Sequence, residues 1–145
     1  MPAEITNAMR GKRLITFGLL LYAAAWCLPV HRDGGTLPEE IPGLQAFLVA
    51  LSVLWDTTAD GPYGATLSVA GAATNLLVVA LLFVWPRRST WLVRLIGWAC
   101  LFSLLLNAQW YLSDFGPGLR IGYFLWWISF GVIGTACLCQ STAER

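Results

Sequence analysis

Four stretches of this chain are each long and apolar enough to cross a lipid bilayer as a helix, and none carries a charge in its central part. A hydrocarbon core about 30 Å thick asks for roughly 17–25 residues of apolar helix. The first stretch covers residues 14–30, between Arg10, Lys12 and Arg13 on one side and His31, Arg32 and Asp33 on the other. The second covers 65–85, entered through Asp60-Gly61-Pro62 and stopped by Pro86-Arg87-Arg88. The third, 91–112, carries Arg94 in its first turn, where a long side chain reaches back to the headgroups. The fourth, 121–138, follows Gly116-Pro117-Gly118. Composition agrees: 57% of the 145 residues are apolar and 12% are charged, against about 25% charged in soluble domains. A water-soluble protein of this size has too much surface for so few charges to cover. The expected fold class is therefore an all-α membrane protein, a single domain built as a four-transmembrane-helix bundle.

A fifth apolar stretch, residues 44–55, is too short to cross, since 12 residues of helix reach about 18 Å. Crossing would also carry Arg87 and Arg88 outside, against the positive-inside tendency. Pro42 suits a first helical turn, and Glu39 and Glu40 suit the positive end of the helix dipole. Residues 43–55 are thus expected to form a short interfacial or re-entrant helix within the first external loop, 31–63.

Charge counting sets the orientation. With the N-terminus inside, Arg10, Lys12, Arg13, Arg87, Arg88, Arg94 and Arg145 are cytoplasmic, and only Arg32 and Arg120 lie outside. Asp33, Glu39, Glu40, Asp56, Asp60 and Asp114 give the outer face a negative character. Trp26, Trp55 and Trp110 mark the outer boundary, and Trp85 and Trp91 the inner one. The expected location is the bacterial inner membrane, with both termini cytoplasmic. Residues 1–25 also have the layout of a signal peptide, with Ala23-Ala24-Ala25 as small residues, but the apolar run continues to Val30 and favours a retained span.

Little in the sequence points to chemistry. Net charge is +1 with no basic run, so there is no footprint for nucleic acid. The four cysteines, at 27, 100, 137 and 139, include no Cys-x-x-Cys and read as small packing residues. His31 is the only histidine, so no metal or haem ligand set emerges, and neither a cofactor nor a metal is expected. No ionisable residue sits mid-span, which argues against a proton-coupled pump or an ion channel. The sequence has no phosphate-binding glycine loop, nucleophile elbow or His-Glu-x-x-His, so no catalytic residue is assigned and the expectation tilts away from an enzyme.

Two sets of residues stand out. Cys100, Ser103, Asn107, Trp110 and Asp114 share one face of the third span, a polar stripe that opens outward. Its ordinary role is interhelical hydrogen bonding. Its functional counterpart is a shallow outward cavity roofed by the 44–55 helix, with Asn107, Asp114, His31, Asp33 and Tyr111 as the outer polar cluster. The second set is a packing or partner face of Gly131, Gly134, Trp127 and Phe130 on the fourth span, with Trp55 in the external loop. Small residues there let backbones approach closely, and the aromatics fill the bundle or present a wall to a ligand or partner.

Packing devices are abundant while catalytic and transport devices are missing. The leading functional expectation is accordingly a small accessory or binding protein that packs against, or protects, a membrane or external protein partner through its outer face. A second copy of the chain is a further candidate partner, and lipid is the surrounding one. The alternative is a small membrane enzyme or carrier acting on a lipid or apolar molecule at the outer boundary. A filled bundle would favour the first and an internal cavity near Asn107 the second.

Overall fold

A computed structural model describes residues 2–32, 40–52, 61–85, 90–112 and 116–143. Among these residues the chain is all-α apart from one pair of short strands. The helices are α1 (Pro2–Cys27), α2 (Gly43–Ser52), α3 (Gly61–Val84), α4 (Thr90–Leu112) and α5 (Ile121–Ala143), with strands β1 (Pro29–Arg32) and β2 (Glu40–Pro42) between α1 and α2. Prolines punctuate this order. Pro2 and Pro62 sit in first turns, where a missing N–H costs nothing. Leu28 precedes Pro29 and lies outside the helical region, which ends α1, while at Trp85, before Pro86, α3 gives way to a 3-10 turn.

α5 is the central helix, packing along both α1 and α4, while α3 lies against α4. The core gathers Ile15, Val78, Leu81, Val93, Ile96, Cys100, Phe130, Ile133 and Cys137 from all four long helices. One close crossing of backbones joins α4 to α5. A Cβ built on Gly134 would lie 2.9 Å from the Gly97 carbonyl oxygen, and one on Gly97 would lie 3.1 Å from that of Gly134. Only glycine at both places lets the backbones come this near.

Large apolar side chains lie on the outside of the bundle as well as in its core, and several polar ones lie inside. Ser68, Thr74, Asn75, Ser103, Asn107 and Ser129 are buried. The outer faces of the long helices carry large apolar side chains at three- and four-residue spacing: Leu76, Val79 and Phe83 on α3, and Leu95, Trp98, Phe102 and Leu105 on α4. By length and hydropathy, Trp91–Leu112 and Ile121–Gln140 suffice to cross a membrane, and Ser68–Val84 and Gly43–Ser52 are shorter apolar helices.

Two boundaries differ from the sequence expectation. The first helix begins at Pro2 rather than near residue 14 and stops at Cys27 rather than Val30, because nothing before Leu28 breaks a helix and Pro29 does. Residues 29–32 instead form β1, antiparallel to β2 with His31 opposite Ile41 and Arg32 opposite Glu40. On its other side His31 bridges to Leu119, and the Arg120 N–H donates to the Val30 carbonyl at 3.0 Å. The strand thus runs between β2 and the start of α5. The Gly43 N–H donates to the Leu28 carbonyl at 3.2 Å, so α2 starts directly on the end of α1.

Candidate functional site

α2 lies across one end of the bundle and has no buried residue of its own. It covers a cavity rather than a filled core. The cavity measures about 360 Å³ and is bounded by the ends of α1 and β1, by α3, α4 and α5, and by α2 above. This lies within the range of small-molecule sites, roughly 300–1,000 Å³. Ala46, Phe47 and Ala50 line it from the roof, and Trp26, Ala72 and Trp126 from the walls. Among the described residues its lining is overwhelmingly apolar, with His31 and the two asparagines but no carboxylate, lysine or arginine.

Two asparagines supply the polar groups, and their situations differ. Asn75 Oδ1 accepts from the Tyr22 hydroxyl and from Trp126 Nε1, each at 2.9 Å, so it ties α1, α3 and α5 together. Its Nδ2 donates to the Ala72 carbonyl at 3.2 Å. Two donors converging on one atom fix the orientation of this amide. Asn107 Nδ2 donates to the Ser103 carbonyl one turn back at 2.8 Å, and the Asn107 carbonyl accepts from the Tyr123 hydroxyl. Its side-chain oxygen, however, is buried without a hydrogen-bond partner. Asn107 is 0% exposed, so water does not satisfy that oxygen, and most buried polar atoms do have partners.

The surroundings of Asn107 Oδ1 are set by a glycine. A Cβ on Gly71 would lie 3.2 Å from this oxygen and 3.7 Å from Trp110 Nε1, with no third atom of another residue's side chain or of another helix within 4 Å. Glycine at position 71 thus lets α3 come close to Asn107, and both residues belong to the cavity lining.

Of the outer polar cluster expected from sequence, Asn107 and His31 both line the cavity. Tyr111 does not; it is exposed, and its ring meets Phe124 edge-on at 6.2 Å. Asp33 and Asp114 lie outside the described residues. Of the packing set, Gly134 and Phe130 are inside the bundle, Phe130 against the Tyr22 and Trp126 rings. Gly131 faces Leu104, and Trp127 Nε1 donates to the Leu104 carbonyl at 2.6 Å. Trp55 lies outside the described residues. Cys100 and Cys137 are buried in the core, and Cys27 and Cys139 are exposed. Among the described residues no group of acidic, histidine and cysteine side chains is placed to hold a metal.

Sequence reasoning missed Gly71, Tyr22 and Trp126 as parts of the site. Gly71 was visible only as a small residue beside the Ser68–Ala72–Asn75 face. The two aromatics lie 53 and 51 residues from Asn75, too far for any local pattern to link them. No protein-family model, curated protein or solved structure matches the chain.

Proposed function

We propose that this chain is a four-span protein of the bacterial inner membrane, with both termini cytoplasmic, that binds a small apolar molecule beneath α2 at its outer boundary. The membrane placement is supported by the rows of exposed leucine, phenylalanine and tryptophan on the long helices, beside serine, threonine and asparagine that are buried with the apolar core. In water such apolar faces would associate, whereas in lipid they meet their own kind. The charge count of the sequence orients the spans. The observation that carries the binding function is the roofed apolar cavity of about 360 Å³, since a bundle serving only as a scaffold gains by filling such a space. This is the alternative that an internal cavity near Asn107 favours over a purely accessory role. A carrier or an enzyme would both begin with this binding step.

The test uses 4-octylphenol with the protein in lipid nanodiscs. A ligand that binds only the folded state raises its thermal midpoint, so the wild type is expected to melt several degrees higher with the phenol present. Ala46→Trp, placed on the α2 roof where it fills the cavity without touching the helix crossings, is expected to lose that shift. Equal shifts in the two proteins would mean that the phenol acts through the lipid, and the cavity reading would fall.

The accessory reading keeps one specific support. Leu44, Leu48 and Val49 of α2 are each more than half exposed, a ready apolar contact for a second membrane protein at the outer boundary. A photoreactive residue at position 48, activated in native membranes, is expected to mark a protein partner if this role holds. Recovery of lipid or of the chain itself alone would remove it.

A further inference from the structure

Resting on the cavity reading above, we propose that the occupant is one hydrocarbon chain of an outer-leaflet lipid, taken in sideways past Val49 with its polar end left outside.

The arrangement of α2 shows where the cavity opens. At about 100° per residue, Gly43, Ala46, Phe47 and Ala50 fall on one side of the helix, and these line the cavity. Leu44 and Leu48 fall on the far side and are more than half exposed. Val49 lies at the edge between the two sides: it lines the cavity and is itself 56% exposed. The roof therefore does not seal the space, which reaches the outside of the bundle along the Val49 edge. Gln45 and Ser52, the two polar side chains of α2, fall beside Val49 on that same edge.

Both broad sides of α2 are thus apolar, one toward the cavity and one toward the surroundings. Such a helix suits hydrocarbon on each side. In the four-span reading the surroundings are the outer leaflet, so the molecules that meet the mouth are lipid chains, present there as the solvent itself. An apolar space left empty destabilises its walls, and a neighbouring chain fills it without crossing water.

The volume suits a single chain. A cavity of about 150 Å³ holds benzene. In proportion, about 360 Å³ holds roughly 14 carbons. The hydrocarbon of one leaflet is about 15 Å deep, half of the bilayer core, and the ten-residue α2 is also about 15 Å long. One chain fits beneath the roof and two do not.

The lining offers this occupant mostly carbon. Asn75 is committed to Tyr22, Trp126 and the Ala72 carbonyl. Asn107 Oδ1 and Trp26 Nε1 have no partner, but both atoms are buried and out of reach of a molecule in the cavity. Ser68 and His31 are few against the aliphatic and aromatic surface around them. A polar group is better placed at the edge, where Gln45 is exposed and Ser52 Oγ donates to the Val49 carbonyl at 2.8 Å with its lone pairs still available. The head of the lipid, charged or neutral, stays there.

The test places the protein in phosphatidylglycerol nanodiscs containing a small fraction of phosphatidylcholine with a diazirine midway along one acyl chain. After irradiation, the labelled residues are mapped by mass spectrometry. Leu82 and Leu105, exposed on α3 and α4, report the lipid around the bundle and are expected to be labelled in every variant. Phe47, Ala72 and Trp126, which line the cavity, are expected to be labelled too in the wild type, and an excess of 4-octylphenol to displace that inner label. Ala46→Trp is expected to lose the inner label while Leu82 and Leu105 keep theirs. Val49→Trp, on an exposed edge with room for the larger side chain, is expected to reduce it by narrowing the mouth. Label confined to Leu82 and Leu105 in a wild type that still shows the phenol-induced thermal shift would overturn the lipid-chain occupant and leave the cavity reading standing. Absence of both the inner label and the shift would overturn the two together. Inner label unchanged in Ala46→Trp would mean that the chain reaches these residues outside the space under α2, and the assignment would fall.

Discussion

Gly134→Leu is expected to abolish the folded bundle. Its Cβ alone would stand 2.9 Å from the Gly97 carbonyl oxygen and 3.0 Å from Leu101, and leucine adds three more carbons to a crossing already in backbone contact. Neither partner can yield cheaply: Gly97 belongs to the α4 backbone, and α5 is held on its other side by α1. Overpacking of this kind costs about 3 kcal/mol, and spreading α4 from α5 also disturbs the Trp127–Leu104 hydrogen bond further along the same interface. Gly134→Ala should fall between leucine and wild type. The measurements are membrane abundance and the thermal midpoint in mild detergent. A leucine variant that keeps the wild-type midpoint would mean that the α4–α5 crossing is looser than the structure has it.

The second large effect is expected at Asn75. Asn75→Leu takes from both the Tyr22 hydroxyl and Trp126 Nε1 the acceptor they share. Interhelical hydrogen bonds within a membrane average only about 0.6 kcal/mol because the separated helices find other partners. Here one substitution orphans two donors on two different helices, and the penalty for a buried unsatisfied group is about 1–3 kcal/mol each. A loss of about 2–4 kcal/mol follows. Adding Tyr22→Phe removes one of the orphaned donors, so the double variant is expected to recover part of the loss. Non-additivity of that sign is the signature of a shared bond. If the double variant loses as much as the two single changes summed, Tyr22 and Asn75 are not coupled. Asn107→Leu is the contrasting case. It removes an acceptor that has no partner and a donor whose partner is its own helix, so stability should hardly change. Two asparagines on neighbouring helices thus differ in what their loss costs the fold.

The helical framework was readable because its signal is redundant. Charge-free apolar runs, flanking arginines and helix-stopping prolines all mark α3, α4 and α5 at nearly the same places. The end of α1 was misplaced because apolarity runs on to Val30 while Pro29 breaks the helix, and there the backbone outweighs hydropathy. The strand pair was not anticipated, since four and three residues with prolines at Pro29 and Pro42 carry no alternating pattern; what makes them strands is the tertiary pairing of His31 with Ile41 and Leu119. Asn107 stood out by being polar in an apolar helix, but whether its amide oxygen had a partner depended on Gly71 across the interface. A missing side chain leaves no mark in a sequence beyond a glycine, and the chain has 14 glycines.

The strand β1 carries a consequence for motion. Its backbone is fastened to β2, which leads into the roof helix, and through His31, Leu119 and Arg120 to the start of α5. Raising α2 by a rigid tilt would strain this ladder, so the roof and the head of α5 open as one cooperative unit. Motion of the roof is therefore tied to local opening of this ladder rather than to a hinge of α2 alone.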